Sequence, residues 1–129
     1  MTPPDPYEVA SLVTSALDAI GVISTIGGSI AAAFAGEPRT TLDIDIVAAL
    51  DESHVAPFVA RVSNAFYVDE DAVVRAVRTH GTVNLIHEAT QFKVDLFIAG
   101  GTPLDAQQLA RRRRVEVGGH VLYVHPPED

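Results

Sequence analysis

No cysteine occurs in the 129-residue sequence, so neither disulfides nor thiolate-bound metals contribute to its stability or chemistry. Nor is there any stretch of the roughly 18 consecutive apolar residues that a membrane-crossing helix requires. The start, residues 1–6, is polar and proline-rich and lacks the basic segment and apolar run of a secretion signal. Cations are scarce: nine Lys and Arg stand against seventeen Asp and Glu, for a formal charge of −8, and Lys93 is the only lysine. Phosphate backbones are gripped chiefly by Lys and Arg, so this balance argues against a surface that binds nucleic acid along its whole breadth. The expectation is a soluble, cytoplasmic protein with no membrane partner.

The hydrophobic content, 47%, is ample for a core, and the length suits one domain spanning 1–129. Val9, Leu12, Val13, Ala16, Leu17 and Ile20 follow helical spacing over 7–20, and Gly21 supplies a stop. Residues 22–26 read as a short β-branched strand, broken by Gly27-Gly28-Ser29 at the head of an alanine-rich helix. After a loop through Arg39, residues 41–47 alternate strictly, with Leu42, Ile44 and Ile46 on one face and Asp43 and Asp45 on the other. The pattern predicts helices over 51–64 and 70–79, a short strand at 66–68, and strands at 82–87 and 91–98 joined by a turn at 88–90. In the last of these, Phe92, Val94 and Leu96 alternate with Lys93, Asp95 and Phe97. A further helix is expected from Gly100 through the arginines 111–114, whose charges would complement its negative end. A hairpin of 115–117 with 121–124 follows. Residues 125–129, prolines followed by acids, look like a helix start, so a helical continuation or a helical partner is expected beyond them.

The chemistry lies in a combination. A glycine-rich turn between a strand and a helix lets backbone N–H groups approach an anion, and the helix N-terminus favours negative charge there. Thirteen residues separate Ser29 from Asp43. Asp43 and Asp45 project side by side from an apolar strand, where their repulsion is costly unless a cation neutralises it. Hard, oxygen-only ligands suit Mg2+ or Mn2+, and if Asp95 lies on the neighbouring strand, three carboxylates can hold two ions about 4 Å apart, as in two-metal phosphoryl transfer. Lys93 shares the face of Asp95 and is placed to meet a phosphate or the carboxylates. Arg39 is a phosphate contact by position. His54, His80, His87, His120 and His125 assemble no site by spacing, and zinc is not expected.

Gly-Gly-Ser, thirteen residues, then Asp43-Ile44-Asp45-Ile46, with a third acid in Phe92-Lys93-Val94-Asp95-Leu96-Phe97, resembles the signature of the DNA polymerase beta-like nucleotidyltransferase superfamily. Residues 26–47 look like the stand-alone bacterial nucleotidyltransferases of the AbiEii toxin type. The resemblance implies an α/β fold of α+β type, with a mixed, mostly antiparallel central sheet flanked by helices. It also implies transfer of a nucleoside monophosphate from an NTP such as ATP to an acceptor hydroxyl on a tRNA, a protein or a small molecule. Carried onto this chain, Gly27, Gly28 and Ser29 hold phosphates, assisted by Arg39 and Lys93. Asp43, Asp45 and Asp95 are metal-binding and catalytic, with Asp95 orienting the acceptor. A cognate antitoxin is a partner the same resemblance implies. The family's usual C-terminal helical region is not evident in the sequence.

Other classes fit less well. A non-catalytic module retaining the fold has no need of adjacent, repelling carboxylates. A nucleotide-sugar glycosyltransferase leaves the Gly-Gly-Ser turn unexplained, and a dinucleotide site lacks Gly-x-Gly-x-x-Gly.

Overall fold

The computed structural model describes residues 6–26, 43–99, 113–117 and 120–124. Side chains are described for 8–26 and 44–99. The expectations placed on Gly27, Gly28, Ser29, Arg39 and the helix after Gly100 lie outside the described residues.

Helix α1 (Pro6–Ala19) buries Val9, Val13 and Leu17, four residues apart on one stripe. It ends where Gly21 turns left-handed at φ 79°, with Gly21 N–H donating to the Asp18 carbonyl (3.0 Å) and Val22 N–H to that of Leu17 (2.9 Å). This paired closure is the Schellman arrangement, for which glycine carries no Cβ penalty. Strand β1 (Ser24–Ile26) follows, buried at all three positions, and then β2 (Asp43–Ala48).

Helix α2 (Glu52–Val62) is started by Asp51, whose carboxylate accepts from Ser53 N–H (2.8 Å), while Asp51 N–H donates to His54 Nδ1 (3.1 Å). The Ser53 hydroxyl, bonded to the same carboxylate, holds the Asp51 carboxyl below its usual range. Pro57 costs the helix a backbone bond, yet Val55, Phe58 and Val62 keep the segment helical by packing into the core. After β3 (Phe66–Tyr67), helix α3 (Glu70–Thr79) buries Val73, Ala76 and Val77 and is tied to α2 where Arg78 Nε donates to Glu52 Oε1 at 2.8 Å. Strands β4 (Thr82–His87) and β5 (Lys93–Ile98) form a hairpin. Its turn closes through Gln91 N–H to the His87 carbonyl (2.7 Å), with Gln91 itself at φ 63°.

A second hairpin, β6 (Arg113–Val117) with β7 (His120–Val124), corrects the expected boundary. Arg113 and Arg114 are strand residues paired with Val124 and Tyr123, not the end of a helix. The pairing with β7 supplies the ladder bonds that make extension favourable there.

Among the described residues the sheet has seven strands in the order β3-β4-β5-β2-β1-β7-β6. The pairs β2–β5 and β1–β7 are parallel and the other four antiparallel. The sheet is therefore mixed and mostly antiparallel. Ile44, Ile46, Leu85, Val94 and Leu96 pack with the buried stripes of α1, α2 and α3 into one core. The opposite side chains of β2, β4 and β5 point away from it. No described helix is long and apolar enough to cross a membrane.

Candidate active site

Period-two alternation decides what the outer face of the sheet presents. In β2, Ile44 and Ile46 are fully buried on the core side, so Asp45 stands on the outer side, half-buried. In β5, Val94 and Leu96 are fully buried and Asp95 faces outward with its side chain 18% exposed. The two strands run parallel with Asp45 directly across from Asp95. Neighbouring strands lie about 4.8 Å apart, so two carboxylates rise from adjacent points of one surface. Two residue pairs earlier along β2 and β5, the backbone of Asp43 stands across from Lys93.

Chain-distant acids thus come together through the β2–β5 pairing. Of the residues singled out in the sequence, Asp45, Asp95 and Lys93 share this patch, and Asp43 opens the same strand at the adjoining register. The side chain of Asp43 lies outside the described residues, as do Gly27, Gly28, Ser29 and Arg39. Among the described residues no three His, Asp or Glu side chains form a metal-holding group.

Among the described residues, Asp95 Oδ1 is buried and has no hydrogen-bond partner. Among the described residues it pairs with Lys93 Nζ at 3.9 Å, an ion pair too long to be a hydrogen bond. Leaving a carboxylate oxygen unsatisfied out of water costs about 1–3 kcal/mol or more. Such an oxygen is suited to a small hard cation, and the carboxylates of Asp45 and Asp95 offer the kind of oxygen ligand that Mg2+ or Mn2+ prefers. The two described carboxylates therefore suit part of such a ligand set, without completing one.

Two features of the patch escaped the sequence reading. Asn84, on β4, stands directly across from Asp95, so Asn84, Asp95 and Asp45 form one polar row over three strands. An asparagine in the middle of a strand, where it is disfavoured, was the available signal. Beside the row lie the outward-facing Phe97 (39% exposed) and Val47, which are paired across β5 and β2. On the other side Tyr67, Ile86 and Lys93 line up across β3, β4 and β5.

His87 plays no part in this patch. It lies on the core side of β4, its Nδ1 2.8 Å from the Thr90 hydroxyl and its ring edge-on to Phe66 at 5.1 Å. Burial pushes its pKa down from the ordinary histidine value. It is a satisfied core side chain, and the other described histidine partner set, His54 with Asp51, serves a helix start.

No protein-family model matches the sequence, and no match is found among curated proteins. Solved structures do match. A proposed nucleotidyltransferase from Thermotoga maritima is similar over 99% of this chain and 81% of its own, with a TM-score of 0.59 and 22% identity. An antigenic nucleotidyltransferase-like protein from Paracoccidioides brasiliensis matches 93% of this chain at a TM-score of 0.59 and 17% identity. This chain spans 60% of that protein's length. At these identities the likeness establishes the fold: a nucleotidyltransferase-type α+β sheet flanked by helices.

Proposed function

We propose that this chain, built on the nucleotidyltransferase fold, transfers a nucleoside monophosphate from an NTP to an acceptor hydroxyl with Mg2+ or Mn2+ as cofactor. The observation that carries the reading is the register of Asp45 with Asp95 on parallel neighbours, with Asp95 Oδ1 buried and lacking a hydrogen bond among the described residues. A structural role gives no reason to set two carboxylates level on one face and leave an oxygen of one unsatisfied. A metal site does.

In this reading Asp43, Asp45 and Asp95 hold the metal, which when bound neutralises the phosphates and favours an ionised acceptor oxygen. Asp95 accepts the proton of the acceptor hydroxyl as its oxygen bonds to the α-phosphorus. The bond from that phosphorus to the bridging oxygen breaks, and pyrophosphate leaves. Gly27, Gly28 and Ser29 receive phosphate oxygens, with Arg39 and Lys93 as their cationic partners. The strongly acidic chain favours a compact acceptor over a long polynucleotide lying across this domain. The likeness of residues 26–47 to AbiEii-type enzymes extends the reading to the toxin of a toxin–antitoxin pair, in which growth arrest on expression depends on the same acids.

Thermal unfolding with Mg2+ and each NTP tests the core of this reading. A ligand at 100 times its dissociation constant adds about 2.7 kcal/mol of stability. The expected outcome is a metal-dependent shift with at least one NTP, absent in the Asp43→Asn, Asp45→Asn double variant. An equal shift in that variant, or none in the native chain, rejects it.

A further inference from the structure

We infer that Lys93 is a resident counter-ion of the acid patch, which leaves Asp95 when a divalent cation binds and turns to the phosphates of the nucleotide. The inference rests on the nucleotidyl-transfer reading and adds to it a coupling between metal and nucleotide.

Its basis is the mismatch between charge and bonding around Asp95. Among the described residues the buried Oδ1 has no hydrogen-bond donor, and the cation beside it, the Lys93 ammonium, stops at 3.9 Å. An ammonium committed to that oxygen would approach to about 2.8 Å, the usual charge-assisted distance. Instead Lys93 remains 43% exposed on a flexible stem, near enough to offset charge and free enough to move. It stands at the register of Asp43 and two residues before Asp95, between the two acid positions on neighbouring strands. No other lysine exists in the chain.

A divalent ion taking Asp95 Oδ1 must displace this ammonium and meets its repulsion. Metal alone therefore binds weakly. A triphosphate arriving with the metal offers the displaced ammonium a new anionic partner, so each ligand strengthens the other. Linkage makes that coupling reciprocal, and typical couplings amount to about 5- to 150-fold in affinity.

The uniqueness of Lys93 makes the exchange measurable without any turnover. Acylation by an amine-reactive reagent, read by peptide mass, reports on this side chain separately from the N-terminal amine. With Mn2+ alone, Lys93 labels several-fold faster than in the metal-free protein; with Mn2+ and inorganic triphosphate it labels more slowly than either. In parallel, Lys93→Met binds Mn2+ alone at least about fivefold more tightly than the native chain and loses most of the enhancement by triphosphate. Lys93→Arg, which keeps the charge, retains the weak metal-only binding and guards against a folding artefact of the methionine variant. Unchanged Lys93 labelling under Mn2+ that the native chain binds and Asp95→Asn does not would overturn the exchange while leaving the enzymatic reading intact. Absence of Mn2+ binding by the native chain, with or without triphosphate, overturns both.

Discussion

Asp95 concentrates the tension between stability and chemistry in one side chain. Among the described residues its buried oxygen has no hydrogen-bond partner, and its neighbour across the parallel ladder is another acid. Asp95→Asn removes that charge while keeping the shape. The metal-free melting temperature is expected not to fall, whereas the proposed nucleotidyl transfer should drop about 10²- to 10⁴-fold, the range for losing a positioned proton acceptor. A calorimetric scan beside a transfer assay reads both, and a large loss of stability would mean that Asp95 is structural. His87 gives a second residue-scale prediction. Desolvation lowers its pKa in the folded state, so folding disfavours the imidazolium. The unfolded chain takes up the proton first as pH falls through about 6.5, and the stability tied to neutral His87 is present above that value and lost below it. Denaturant titrations between pH 8 and about 5 should show stability declining on the acid side. His87→Gln should reduce that slope.

At the scale of single elements, local rules account for several boundaries. Helix α3 and strand β4 begin and end at the predicted bounds, 70–79 and 82–87. His80 closes α3 in the left-handed conformation at φ 51°, with Gly81 N–H reaching the Ala76 carbonyl at 2.8 Å. That is the task Gly21 performs for α1, done by a residue with a Cβ. His80→Gly is expected to raise stability by about 1 kcal/mol, or a few degrees in melting temperature. An unchanged or lower melting temperature would show that the histidine ring makes up the difference. Strand β5 is sensitive to truncation, because Leu96 is fully buried one step from Asp95. Leu96→Ala should cost about 2–5 kcal/mol in chemical denaturation and loosen the acid patch from beneath.

For the molecule as a whole, the decisive event is the meeting of β2 and β5. Helices α2 and α3 and strands β3 and β4 lie between them in the chain, and the resulting parallel neighbours run together over six paired residues. Phe58 of α2, fully buried in the shared core, helps bind that intervening unit to the sheet. Phe58→Ala is expected to cost about 3–5 kcal/mol, and a partly unfolded variant should lose the metal-dependent shift together with its fold. Stability and metal response declining in parallel in such a variant, but separately in Asp95→Asn, would distinguish the scaffold from the site.

How far the sequence reached follows from the range of the interactions involved. Helical stripes, the Gly21 stop and the alternation of Ile44-Asp45-Ile46 and Val94-Asp95-Leu96 depend on neighbours within a few positions, and these were legible. The α+β fold class was legible through the same alternation and through the resemblance its acids carry. The strand character of Arg113 and Arg114 was not, because it comes from pairing with Val124 and Tyr123 across a hairpin whose extent no local pattern marks. The level placement of Asp45 with Asp95, the row completed by Asn84 and the unsatisfied oxygen beside Lys93 were likewise decided by tertiary structure. A strand's alternation says which side a residue faces; only the register between distant strands says which residue it meets there.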